Sequence, residues 1–307
     1  MRTLLATDGS MFATTALTTA SHLLTRTDNK FEVTCIIPDL SLPARLAKRS
    51  AGVVIGHRLK YQEEMKRKTE QVLKDAKRTL EAADVMALVF TETGSPADVL
   101  VKLAEDYDAV VVGTQSGGER PSPGLGPVAS RIVEHVSGIV LVGRRLLNEK
   151  NFRVLIGVDG SASSENAVEA FTTSFRARDA DITLMHVVEK PWLRLGMEQE
   201  WYAEFERPYG EASELPEGEM LFGKELQSEA EQIVEDLRQR LSRRCSSIET
   251  RIMDGNPATE LLRQSEIGEY DLAVVGATGA SDLKHTMLGS VSFKLASYAP
   301  CSVAVIR

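Results

Sequence analysis

The sequence is poor in cysteine, aromatic residues and long apolar runs, and each shortage excludes a class of protein. Its three cysteines, Cys35, Cys245 and Cys301, lie far apart with no Cys-x-x-Cys pair. That rules out a disulfide scaffold or a cysteine-built zinc site and suggests reduced thiols, with Cys35 and Cys301 in the core. No apolar run approaches the ~20 residues of a membrane-spanning helix. The chain also opens directly on a strand-like segment, so a cytoplasmic location without a membrane partner is expected. The five histidines, His22, His57, His135, His186 and His285, pair with no cysteine or carboxylate at metal-ligand spacing, which leaves any metal site unknown. The formal net charge is −8, and the absence of a basic stripe argues against nucleic acid as the main partner. No nucleophile, base and orienter stand out as a catalytic set, so no catalytic residue is assigned.

The chain does hold a duplication. Leu5-Ala-Thr-Asp8-Gly9-Ser10 returns as Ile156-Gly-Val-Asp159-Gly160-Ser161, and Gly94-Ser-Pro96 as Gly255-Asn-Pro257. Tyr107-Asp108-Ala-Val-Val-Val-Gly113 returns as Tyr270-Asp271-Leu-Ala-Val-Val-Gly276, and Val140-Leu-Val142 as Val303-Ala-Val305. A repeat this long is too large for a solenoid unit and means two copies of one domain. Each copy is large enough to bury its own core. The polar stretch Arg145–Asn151 marks the boundary, giving domains 1–147 and 148–307.

Short Val/Ile-rich runs separate helical patterns in each copy. The expected strands are Thr3–Thr7, Phe31–Ile37, Val85–Thr91, Ala109–Val112 and Ile139–Val142. Their counterparts are Arg153–Val158, Asp181–Val188, Ile248–Ile252, Leu272–Val275 and Ser302–Ile306. The longest helices are expected over Tyr61–Ala82 and Lys224–Arg243. This alternation predicts an α/β fold of two tandem Rossmann-like domains, each a mostly parallel five-stranded sheet flanked by helices. The closing strands Ile139–Val142 and Ser302–Ile306 would be natural edges to pair.

The run with the most chemistry is Gly276-Ala-Thr-Gly279, nine residues, then Gly289-Ser290. It joins the apolar run Leu272–Val275 to a helix start, where glycines let N–H groups close on an anion and the helix end adds positive potential. An ordinary tight turn with Ser290 as a cap is the plainer alternative.

G-x2-G-x9-G-[ST] resembles the nucleotide-binding motif of the universal stress protein family. The resemblance extends to the aspartate after the first strand, to His186-Val187-Val188 and to the Gly-x-Pro before the third helix. It covers both halves, implying a tandem member with an adenine nucleotide alpha hydrolase-like fold. It also implies that the second half binds ATP, alone or with Mg2+. Asp159 would sit beside ribose or base, and the Val187 backbone would meet adenine. Gly276, Thr278 and Gly279 would close over sugar and phosphates, with Gly289, Ser290, Val291 and Ser292 at the phosphates. The function implied is an ATP-binding regulatory protein of the stress response. A slow ATPase and a tandem scaffold with vestigial sites are the alternatives. Single-domain members typically dimerise, so the resemblance also implies an intramolecular pseudo-dimer, an open question of a homodimer, and a protein partner not readable from sequence.

The first half departs from the motif. Gly113-Thr-Gln-Ser116, nine residues, then Gly126-Pro127 keeps the spacing but replaces the second glycine and the hydroxyl. Pro127 suits a first helical position yet lacks an N–H, so this site reads as degenerate and Asp8 as a structural cap. Charge is uneven too: residues 1–150 hold 20 Lys/Arg against 18 Asp/Glu, and residues 151–307 hold 16 against 26. The excess acid lies in the connection 189–223, with Trp192, Trp201, Tyr202, Phe205 and Tyr209. Docking of that segment on Arg45, Lys48 and Arg49 is one expectation; local packing of its aromatics is the other. Gly218–Lys224 spells G-x-x-x-x-G-K, but Glu225 follows and no strand precedes it, so no P-loop is expected. Lys284 is the cation expected near the loop, and His285 lies inside it.

Overall fold

Ten of the short apolar runs become the strands of one sheet. A computed structural model of the chain describes residues 1–39, 53–117, 123–147, 152–189, 217–245, 247–279 and 288–307. In the first half the order is β1 (Arg2–Ala6), α1 (Met11–Leu23), β2 (Lys30–Pro38), α2 (Val53–Ala82), β3 (Ala87–Gly94), α3 (Pro96–Leu103), β4 (Ala109–Gly113), α4 (Pro127–His135) and β5 (Ile139–Gly143). The second half repeats it: β6 (Phe152–Val158), α5 (Ala162–Ser174), β7 (Ala180–Val188), α6 (Glu217–Ser242), β8 (Ser247–Asp254), α7 (Pro257–Ile267), β9 (Leu272–Gly276), α8 (Ser290–Tyr298) and β10 (Ser302–Ile306).

The sheet order is β3-β2-β1-β4-β5-β10-β9-β6-β7-β8. Each half is parallel throughout, and the halves meet antiparallel through β5 and β10, with Leu141 opposite Ala304 and Val140 opposite Val305. The two closing strands thus remove each other's open edge, as the sequence suggested. Every residue of β5, β9 and β10 is buried, because helices cover both faces at the middle of the sheet. Covering one such Val, Leu or Ile side chain contributes roughly 1.5–3 kcal/mol. The outer strands β3 and β8 are mostly exposed or half-buried.

The helices start where polar caps sit. Ser10 accepts from Ala13 N–H ahead of α1, and Ser161 from Ser164 N–H ahead of α5. Asn256 accepts from Thr259 N–H ahead of α7. Such caps satisfy donors that the helix itself cannot. The turns before α1 and α5 need φ +78° at Gly9 and +76° at Gly160, which glycine adopts without steric cost.

Several element ends differ from the sequence reading. The helices α2 and α6 begin at Val53 and Glu217, earlier than the apolar periodicity indicates. The strand β2 runs one residue further, to Pro38, and β3 pairs with it through Gly94. Proline is tolerated there because it ends the strand. Gly218–Lys224 lies inside α6, which removes any P-loop reading. The aromatic part of the 189–223 connection, the basic Arg45, Lys48 and Arg49, and Lys284 and His285 lie outside the described residues.

Candidate functional site

In each half the strand order reverses between the first and fourth strands, so a crevice opens at their carboxyl ends, where doubly wound sheets bind ligands. In the second half this is the gap between the ends of β6 and β9. The β6–β7 register stops at Val158 opposite His186, while β7 continues to Val188. Val187 and Val188 therefore flank the crevice beyond the end of β6. A cavity of about 730 Å³ fills it, within the range of small-molecule sites.

Asp159, Val187, Gly276, Thr278, Gly279, Gly289, Ser290, Val291 and Ser292 all line this one cavity. The sequence reading scattered them over about 130 residues; the fold collects them. Asp159 follows β6, and its Oδ1 accepts from Ser161 N–H at 3.0 Å and Ser161 Oγ–H at 2.6 Å. Its carboxylate is thereby held at the crevice rim. The loop after β9 approaches closely: a Cβ on Gly276 would lie 2.5 Å from Ser163 Oγ, and one on Gly279 3.1 Å from Asp159 Oδ2. Thr278 N–H donates to Ser163 Oγ at 3.3 Å, fastening this loop to α5.

The start of α8 differs from the capped helices. Gly289 occupies the N-cap with no side-chain cap bond, and its own N–H donates to Ala277 O at 2.7 Å. Phe293 N–H is the first to reach an intrahelical carbonyl, Gly289 O at 3.0 Å. The N–H groups of Ser290, Val291 and Ser292 thus form the open first turn, beside the cavity, where the helix dipole is positive. Ser290 is exposed, and its hydroxyl is available to a ligand. The Ser292 hydroxyl instead donates to Gly276 O at 2.6 Å; it binds the helix start to β9 and leaves only its backbone for an anion.

Lys294 and His186 are among the lining residues that went unassigned in the sequence. Lys294 stands one turn above Ser290, so the i, i+4 spacing on a helix would have revealed it. His186 also lines the cavity, with Nδ1–H donating to Val158 O at 2.9 Å. Burial pulls its pKa below the usual value, so the ring is neutral at pH 7 and turns Nε2 as an acceptor. Among the described residues, no three His, Cys, Asp or Glu side chains gather as a metal-binding group.

The first half has an equivalent cavity of about 560 Å³ at the ends of β1, β2 and β4, but its chemistry differs. Gly126 caps α4 without a side-chain bond, and Pro127 takes the first helical position, removing one of the open donors. Asp8 Oδ1 accepts from Ser10 N–H and Oδ2 from Gly117 N–H, both at 2.9 Å. The Asp8 carboxylate is therefore spent on the loop, as its reading as a structural cap anticipates.

Two parallel α/β halves, fused edge to edge and each with a crevice at its switch point, define a paired Rossmann-like protein. Comparison with known proteins names its group. The model of the universal stress protein family matches residues 1–144 and again 150–307, and the chain belongs to that family. Universal stress protein Rv2623 of Mycobacterium tuberculosis is 27% identical over 251 residues, spanning 77% of this chain and 75% of that one. Universal stress protein YxiE of Bacillus subtilis is 26% identical over 155 residues, 50% of this chain and 98% of that one. A crystal structure of a universal stress protein from Archaeoglobus fulgidus superposes with a TM-score of 0.61 over 100% of this chain and 98% of that one, at 19% identity. That last likeness shows the fold. No described helix is long and apolar enough to cross a membrane.

Proposed function

We propose that the second half binds ATP and that the chain acts as a nucleotide-responsive regulatory protein of the stress response. The observation that carries this reading is the uncapped start of α8, whose open N–H groups and Ser290 hydroxyl face a cavity shared with Asp159, Val187, Gly276 and Gly279. A turn that merely connects β9 to α8 would not need glycines at three points where side chains would press on Ser163, Asp159 and Ala277. An anion replaces the missing cap.

In this reading the first turn of α8 and Ser290 hold the phosphates, and Lys294 lends positive charge. Asp159 accepts from the ribose hydroxyls. The Val187 backbone meets the adenine edge, while Met185 and Leu261 supply apolar contact to the base. Mg2+, when present, would ride on the phosphates and supply charge neutralisation. Slow ATP hydrolysis is the second reading, favoured by Lys294, since phosphoryl transfer depends on positioned positive charge.

Denaturing freshly purified protein and identifying released nucleotide by mass spectrometry tests the proposal. ATP or ADP near one per chain, lost in the double variant Gly289→Val/Ser290→Ala, is the expected result. No released nucleotide, followed by no saturable ATP binding in titration, would overturn it. Phosphate release from the loaded protein separates binding from turnover.

A further inference from the structure

The cavity of the first half is as well placed as its counterpart but built for a different molecule. Its walls are apolar, with Ile36, Met65, Val72, Leu100, Val112 and Val128 prominent. The charged side chains beside it are few. Asp8 already accepts from two backbone N–H groups, and Lys68 is exposed at the rim. Pro127 and Gly117 thin the donors that a phosphate would need: one lacks an N–H, and the other donates its N–H to Asp8.

Among the polar groups of this wall, one is buried without a partner among the described residues. Thr34 is wholly buried in β2 and lines the cavity, and its Oγ1 has no hydrogen-bond partner among the described residues. Matching strand registers, with Ala6 opposite Thr34 and Gly157 opposite Met185, places Thr34 where the second half has methionine. A buried hydroxyl without a partner is costly, and a methionine or valine here would avoid that cost. The neighbouring thiol of Cys35 is paired with Thr69, whereas the buried Thr34 hydroxyl has no partner among the described residues.

We propose that the first half is a receptor for a small, uncharged, mainly apolar molecule with one hydrogen-bond acceptor, which lies in this cavity and takes the Thr34 hydroxyl proton in a hydrogen bond. The chain then carries two unlike ligand sites, one for a neutral molecule and one for an anion, at equivalent positions of one sheet. The cavity volume suits a guest of one or two fused rings.

Two neutral environment-sensitive dyes test this on the full chain. Prodan carries a ketone acceptor; N-phenyl-1-naphthylamine carries none. Both are expected to bind saturably, once per chain, in the presence of saturating ATP and in Gly289→Val. Thr34→Val is expected to weaken Prodan about tenfold, the worth of one buried hydrogen bond, and to leave the second dye unchanged. Met65→Trp and Val128→Trp, at half-buried wall positions, should exclude both dyes while leaving ATP binding intact. Absence of saturable dye binding would overturn the proposal. So would displacement of the dyes by ATP or their loss in Gly289→Val, since either places them in the other cavity. Equal response of the two dyes to Thr34→Val would remove the hydroxyl from the recognition.

Discussion

Arg144 and Arg307 perform one task in opposite directions. Each follows the last strand of its own half and reaches across the seam to the carboxyl end of a helix in the other half. Arg144 donates to Ala296 O at 2.6 Å, Ser297 O at 3.2 Å and Cys301 O at 3.2 Å, closing α8. Arg307 donates to Val136 O at 2.6 Å, Glu134 O at 2.8 Å and Val133 O at 3.0 Å, closing α4. A guanidinium suits this place because its planar fork serves several orphan carbonyls and its charge complements the negative helix end. Burial lowers the Arg144 pKa to about 10, which still leaves it charged at neutral pH.

Arg144→Ala is therefore expected to lower stability by about 3 kcal/mol, as hydrogen bonds to charged groups contribute about 1.5–3 kcal/mol each and do not add fully. Arg144→Lys should recover less than half, since a single ammonium cannot fork. Urea midpoints with unchanged slopes are the measurement. Equal midpoints for wild type and Arg144→Ala would show that the seam does not depend on this residue.

Thr34→Val removes the unpaired buried hydroxyl and keeps the shape. Stability should rise by about 1 kcal/mol, read as a higher urea midpoint in protein free of small ligands. A loss of stability would show that the hydroxyl is already satisfied.

Gly276→Ala and Gly279→Ala separate packing from binding. The first puts a methyl against the Ser163 backbone and Oγ, so a stability loss of about 1–3 kcal/mol is expected from overpacking. The second meets only the end of the Asp159 side chain at 3.1 Å. It should fold like wild type and lose roughly tenfold in ATP affinity, about 1.4 kcal/mol, measured by calorimetry. Unchanged affinity in Gly279→Ala would detach Asp159 from the ligand.

His186 makes stability pH-dependent. Its folded pKa lies below the ordinary value of about 6.5 through burial, so the unfolded chain takes up a proton first as pH falls. Its contribution is complete above pH ~6.5 and declines below it. His186→Gln should flatten the part of a melting-temperature profile that falls below about pH 6.5. Parallel profiles for the two proteins would refute this.

Much of this was legible in the sequence, for identifiable reasons. The duplication placed ten strands because period and length are local properties of Val/Ile-rich runs. Gly276, Gly279 and Gly289 were legible because only backbone geometry explains glycine at that spacing. The paired edges of β5 and β10 followed from a rule about open edges rather than from any residue. The tasks of Arg144, Arg307 and Thr34 carry no such mark. Arg144 and Arg307 follow the two repeated closing strands, but the carbonyl partners of Arg144 lie about 150 residues away. Thr34 sits in an unremarkable strand, and its lack of a partner exists only once the neighbours are in place. Ser292 was legible as a helix-start serine, but its donation to Gly276 O depends on how the loop returns to β9.

The antiparallel seam between β5 and β10 has one more consequence. Where two identical subunits form such a pair, both cradles are written by the same codons, and a proline in one is a proline in both. Here the partners are tethered at fixed stoichiometry and cannot be diluted apart, yet each is spelled separately. Pro127 could enter one half while Ser290 stayed in the other, and the sheet that joins them was left whole.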